Sequence, residues 1–164
     1  MCFTGHRKLE EDAFTLRGRL DRVLEALYAM GYRRFLDGGA LGFDLLAAEC
    51  VLRLQTRHPD VRLVMVIPCA AQPRHWNAEQ RARYERILFQ ADETRVLSEH
   101  YFNGCMMVRN RHMVDRADCC VCYLNKTKGG TVSTVAYALS KSLLLLNTAM
   151  PDACEAFANA HTAS

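Results

Sequence analysis

Lys128-Gly129-Gly130-Thr131-Val132-Ser133-Thr134, directly after the apolar run Cys119 to Leu124 and a short polar link, is the stretch best suited to chemistry. An apolar run, a glycine pair and a hydroxyl-rich helix start read as strand, tight turn and helix. Free backbone N–H groups at such a turn, backed by the positive end of the helix dipole, favour a phosphate, and the missing glycine side chains let it approach closely. Gly129, Gly130 and Thr131 are the predicted phosphate cradle, with Thr134 one helical turn along. The competing reading is a plain strand-to-helix turn capped by Thr131.

Two other strand ends carry comparable turns. Gly5-His6-Arg7 follows a short first strand, and Gly38-Gly39-Ala40-Leu41-Gly42-Phe43-Asp44 follows a second. Arg7 and Arg109 supply guanidinium forks suited to phosphate oxygens, although Arg109 on a helix could equally be a surface charge. Asp44 would repel a phosphate, so it either accepts from ribose hydroxyls or orders a neighbouring loop. Asn110 is placed to orient a base or ribose, or simply to face solvent from its helix. His6 has the intrinsic pKa for proton transfer but no partner acid in the sequence. Trp76, the sole tryptophan, either stacks on a base from the rim or packs on the domain.

These residues need a scaffold that brings several strand ends together, and the hydrophobic pattern provides one. Leu16, Leu20, Val23, Leu24 and Leu27 recur at helical spacing, predicting a helix from about Glu10 to Met30 that Gly31 closes. Strands are expected at 2–5, 33–37, 61–68, 93–97, 119–124 and 143–146. Helices are expected from about Leu45 to His58, over 77–91, from Cys105 to about Arg116, from the Gly129-Gly130 turn to about Ser140, and as a short segment after Pro151. Val61 to Pro68 is nearly continuously apolar, as in a parallel sheet covered on both faces. The fold class is therefore α/β, a single Rossmann-like domain over residues 1–164, with a parallel sheet of about six strands and helices on both faces. In such sheets ligands sit beyond the carboxyl ends of the strands.

Bulk composition restricts the rest. A chain of 164 residues with 50% hydrophobic content suits one domain. The formal charge of +3 comes with acidic residues interleaved among dispersed arginines, which argues against a nucleic-acid partner. No run approaches the roughly 18 apolar residues of a membrane span, and the N-terminal residues lack a leader's apolar core, so a cytoplasmic protein is expected. Most of the eight cysteines lie in apolar runs, as reduced core residues do. Cys119 and Cys122 match C-x-x-C, but on a strand they would point to opposite faces, so no metal is expected.

With these motifs assembled, the chain resembles the SLOG superfamily, the Rossmann-like group containing the DNA-processing protein DprA and the LOG phosphoribohydrolases, and in particular its YpsA-like branch. The resemblance rests on Phe3-Thr4-Gly5-His6-Arg7, Gly38 to Asp44, Arg109-Asn110-Arg111-His112-Met113-Val114-Asp115, and Gly129 to Val135. It implies a nucleotide or nucleotide-derived ligand such as ADP-ribose, NAD or a nucleoside monophosphate, held by a sensor or regulatory module with no required cofactor. It also implies a homo-oligomer. LOG-type enzymes match at Arg109, Met113 and Thr131, but Thr134 stands where their catalytic Glu would be. Thr cannot hold the charge that stabilises an oxocarbenium-like sugar. Binding thus ranks ahead of N-glycosidic cleavage, and single-stranded DNA binding comes third.

Overall fold

The computed structural model describes residues 1–162; the last two positions of the expected 1–164 domain lie outside the described residues. Six strands, β1 (Cys2–Gly5), β2 (Arg34–Asp37), β3 (Arg62–Ile67), β4 (Glu93–Val96), β5 (Cys119–Tyr123) and β6 (Leu144–Asn147), alternate with six helices. These are α1 (Ala13–Ala29), α2 (Phe43–Arg57), α3 (Ala78–Gln90), α4 (Cys105–Val114), α5 (Gly130–Ser140) and α6 (Pro151–Thr162). The strands form one sheet in the order β4-β3-β2-β1-β5-β6, every pairing parallel. This is the expected α/β, Rossmann-like architecture. The order turns back between β1 and β5, so the crevice of the fold opens beyond the carboxyl ends of those two strands.

Two apolar layers hold the sheet. On one face Phe3, Phe35, Leu63, Met65, Cys119 and Val121 pack against α1, α2, α3 and α6. On the other, Cys2, Leu36, Val64, Val66, Cys120 and Cys122 meet α4 and α5. Side chains alternate across a strand, so Cys119 and Cys122 face opposite layers, as expected from their spacing. Phe3 is fully buried with Phe35 and Phe43 each 6.4 Å away by ring centroid, which anchors the first strand and the start of α2 in one aromatic cluster. Burying each such ring contributes roughly 1.5–3 kcal/mol.

Most element ends fall within two residues of expectation. The largest difference is α1, which starts at Ala13 instead of Glu10 because Asp12 caps it, its Oδ2 accepting from Thr15 N–H (2.9 Å). The segment after Pro151 forms a twelve-residue helix, its Cys154 and Ala158 buried. Packing drives this, since α6 lies along α1 and completes that layer. No helix among the described residues is long and apolar enough to cross a membrane.

Candidate functional site

A cavity of about 290 Å³ lies at the turn-back of the strand order. Gly5, His6 and Arg7 enter it from β1, Ala40 and Asp44 from the β2–α2 turn, Met106, Arg109 and Asn110 from α4, and Gly130 and Thr131 from the start of α5. β1 and β5 end level, Gly5 opposite Tyr123, so the turns that follow them meet at one place, and the β2–α2 turn and α4 bring in the rest. Of the residues singled out in the sequence, Gly38, Gly39, Gly42, Gly129 and Thr134 do not line it, although Gly38, Gly42 and Thr134 touch Arg109, Arg7 and Asn110, which do.

The start of α5 has the features of an anion site. Gly129 (φ +114°) ends the loop, and no side chain caps the helix, so Thr131 does not fill the capping role. Ser133 N–H is the first amide taken up within the helix, by the Gly129 carbonyl (3.2 Å). The groups before it point out of the helix end, where the dipole is most positive. Gly130 has open space where a side chain would stand, with nothing within 4 Å of an added Cβ.

Arg109 forms the floor and is buried. Its Nε donates to Asn110 Oδ1 (2.6 Å), and its Nη1 donates to the Gly38 carbonyl. Asn110 Nδ2 donates to Thr134 Oγ1 (2.8 Å), which in turn donates to the Gly130 carbonyl (2.8 Å). A continuous chain of hydrogen bonds thus runs from the guanidinium to the first residue of α5. Thr134, almost fully buried, joins α4 to α5 in that chain. A Cβ at Gly38 would meet the Arg109 guanidinium, so any larger residue there would displace that side chain.

Two buried carboxyls face this one cation. Burial pushes Asp37 well above the usual carboxylate range, and the Asp44 charge pushes it further, while the Gly39 N–H and Arg109 pull it back. Burial likewise raises Asp44, to about 6, opposed chiefly by Arg109 and then by the Ala40 amide and Arg7. Burial lowers the Arg109 pKa, and Asp44 and Asp37 counter the shift. One guanidinium stands against two carboxyls, so the pair holds a proton more readily than two separate carboxylates would. Asp37 accepts from Gly39 N–H (2.7 Å) through Oδ1, whereas its Oδ2 has no partner among the described residues.

The β1 corner is pinned to α2. Phe43 N–H donates to the His6 carbonyl (3.2 Å), and Gly42 (φ +85°) passes so near that a Cβ would lie 2.2 Å from the Arg7 carbonyl oxygen. His6 lines the cavity, nearly buried, with Nε2 unpartnered; burial and then Lys126 lower its pKa, so the ring is neutral near neutral pH. Its chemistry is therefore that of a hydrogen-bonding imidazole.

Residues that sequence reasoning passed over also matter. Asp37, the last residue of β2, shares Arg109 with Asp44; an acid directly before Gly38-Gly39 was the available signal. Gln72 Nε2 donates to the Gly38 and Gly39 carbonyls (3.3 and 3.0 Å), bracing the β2 turn from the loop after β3. Trp76 is half-buried, its ring edge-on to Tyr84 at 5.2 Å. Dispersion of the arginines along the chain also differs from their placement in space. Arg7, Lys8, Arg17, Arg83 and Arg86 line one groove next to the cavity, together with Glu49 and Glu79. Glu49 pairs with Arg83 (2.7 and 2.9 Å) and Arg17 (3.5 Å), which neutralises part of that charge.

Fold and crevice together define a Rossmann-like domain with a ligand-sized cavity at the switch in strand order. The model for the YspA SLOG family (YpsA) matches residues 1–144, and the chain belongs to that family. It is 32% identical over 136 residues to the SPbeta prophage-derived protein YoqJ of Bacillus subtilis strain 168, covering 75% of this chain and 80% of that one. A UPF0398 protein of Bacillus thuringiensis strain Al Hakam is 27% identical over 151 residues, covering 86% and 82%. Among solved structures the chain is similar to DprA of Streptococcus pneumoniae (TM-score 0.62, 16% identity, 97% of this chain and 55% of that one). It is also similar to Helicobacter pylori DprA, described in a single-stranded DNA binding mode (TM-score 0.61, 18% identity, 88% and 62%). The chain thus spans less than two thirds of either DprA structure.

Proposed function

We propose that this chain, as a single SLOG-type domain, binds a nucleotide or nucleotide-derived ligand such as ADP-ribose, NAD or a nucleoside monophosphate, and acts as a sensor or regulatory module. The observation that carries this reading is the uncapped start of α5, opening on a cavity that Arg7 and Arg109 also line. In this reading the amides around Gly129, Gly130 and Thr131 hold the phosphate, and Arg7 adds a charged donor. Asp44 and Asn110 face the sugar, with Gly5, His6 and Ala40 forming the remaining wall. Gly38, Gly39, Gly42 and Thr134 keep those groups in register. Calorimetric titration tests it: AMP should bind at least about tenfold more tightly than adenosine, because charge-assisted hydrogen bonds to the phosphate carry the affinity. Equal affinities would remove the basis for the reading.

Two observations favour other outcomes of the same site. Asp44 is the one carboxylate among the residues lining the cavity, and N-glycosidic cleavage would use its charge opposite the developing sugar cation. Release of free base during long incubation with AMP, NAD or ADP-ribose, followed by chromatography, would establish turnover. The cationic groove beside Arg7, and the likeness to a protein described in a single-stranded DNA binding mode, favour a nucleic-acid ligand. That outcome would show as oligonucleotide affinity falling steeply with salt, about one decade per decade of salt for each phosphate neutralised.

A further inference from the structure

A second cavity, of about 600 Å³, adjoins the first, with Arg7 and Met106 in the walls of both. Its other surfaces include Leu41, Gln72, Trp76 and Tyr101. The first cavity is at the small end of the range for small-molecule sites, enough for a phosphate and sugar beside the polar groups that line it. A nucleoside's heterocycle is flat and largely apolar on its faces. Across Asp44 and Arg109 it would meet buried charge, and in the cationic groove it would meet ion-paired Arg17, Glu49 and Arg83. The groove also offers Leu9, Ala13 and Leu46, but of the three recesses it is the one beyond Arg7 and Met106 that adds the Trp76 and Tyr101 rings to aliphatic carbon.

We propose that this second cavity is the subsite for the aromatic heterocycle of the ligand, the ring lying against Trp76 and Tyr101 while the phosphate sits at the start of α5. The inference rests on the nucleotide-binding reading above. Trp76 is suited to the task because its edge-on contact with Tyr84 holds the indole in place before a ligand arrives. Tyr101 is 63% exposed in the loop before α4, so a stacked base would cover aromatic surface that now faces water. Arg7 lines both cavities, so its guanidinium is available to the phosphate or to the face of the ring. The ligand class that fits is a base-bearing nucleotide, with ribose 5-phosphate as the fragment that occupies only the first cavity.

Trp76 is the only tryptophan, so tryptophan emission reports on the surroundings of this one side chain. Titrations of the full chain with AMP, GMP, CMP, UMP, ADP-ribose and ribose 5-phosphate, followed in parallel by calorimetry and by Trp emission excited at the red edge, test the proposal. The expected result is saturable change of Trp76 emission with at least one base-bearing ligand that binds about tenfold or more tightly than ribose 5-phosphate, and unchanged emission with ribose 5-phosphate. Tyr101→Ala, an exposed position that leaves the fold alone, should weaken that ligand several-fold and leave ribose 5-phosphate unaffected. Nucleotides that bind no better than ribose 5-phosphate, or that bind without moving Trp76 emission, overturn the subsite while the phosphate site stands. Absence of binding by every probe overturns the nucleotide reading and the subsite with it.

Discussion

Replacing Arg109 with methionine is expected to destabilise the protein by about 3–5 kcal/mol at neutral pH, part of it the cost of protonating a buried carboxylate that has lost its cation and part the Gly38 carbonyl and Asn110 side chain left without their donor. Methionine preserves much of the volume, so the loss is of charge and hydrogen bonds and not a cavity effect. Two consequences separate this account from a packing defect. The first is pH dependence. A carboxyl whose folded pKa is raised holds its proton more tightly in the folded state, so stability rises as pH falls through that pKa and is lost as pH rises through it. Asp44 is at about 6 with Arg109 in place and must move higher without it. The deficit of Arg109→Met should therefore shrink as pH is lowered from about 8.5 to about 5.5, where Asp44 is protonated in both proteins. The second is coupling: Asp44→Asn in the Arg109→Met background should recover part of the loss. Urea unfolding of the four proteins of this cycle measures both, and a pH-independent deficit with no coupling would show that Arg109 acts through its hydrogen bonds to Gly38 and Asn110 and not through its charge.

Gly42→Ala should be the most damaging of the glycine substitutions, costing about 3 kcal/mol or more. The added Cβ meets the Arg7 carbonyl oxygen at 2.2 Å, backbone that cannot swing aside, and φ of +85° is strained for any L side chain. The damage should reach the site, because the same contact sets the position of Arg7. Gly130→Ala is the matched control. Its Cβ would enter open space at a helical position, so thermal unfolding should match the parent within about 0.5 kcal/mol. A Gly42→Ala protein as stable as its Gly130→Ala counterpart would contradict the close approach of the two turns.

Much of this architecture was written in local sequence. The apolar runs of β3 and β5 and the 3.6-residue spacing in α1 depend on neighbours a few residues away, so the parallel sheet and most element ends were legible. The glycine turns announced the crevice for the same reason. What escaped sequence reasoning depends on groups far apart in the chain. Asp37 becomes a partner of Asp44 only when α4 carries Arg109 under the β2 turn. Thr134, noted in the sequence for the Glu it replaces, proves to join α4 to α5 through Asn110. Gln72 braces Gly38 and Gly39 from a loop after a different strand. Arg17 and Arg83, dispersed in sequence, meet at Glu49 because α1, α2 and α3 lie side by side. No composition count foresees that convergence.

The phosphate cradle is the centre of the account, and Gly130→Asp tests it most directly. The open surroundings of Gly130 allow a carboxylate there without disturbing the core, and that carboxylate would stand where the ligand's phosphate is expected. Calorimetric titration of AMP and ADP-ribose into the parent, Gly130→Ala and Gly130→Asp proteins should give binding to the parent, similar or modestly weakened binding to Gly130→Ala, and none to Gly130→Asp, with all three equally folded by circular dichroism. Undiminished affinity in a folded Gly130→Asp protein would contradict the cradle and move the ligand away from the start of α5.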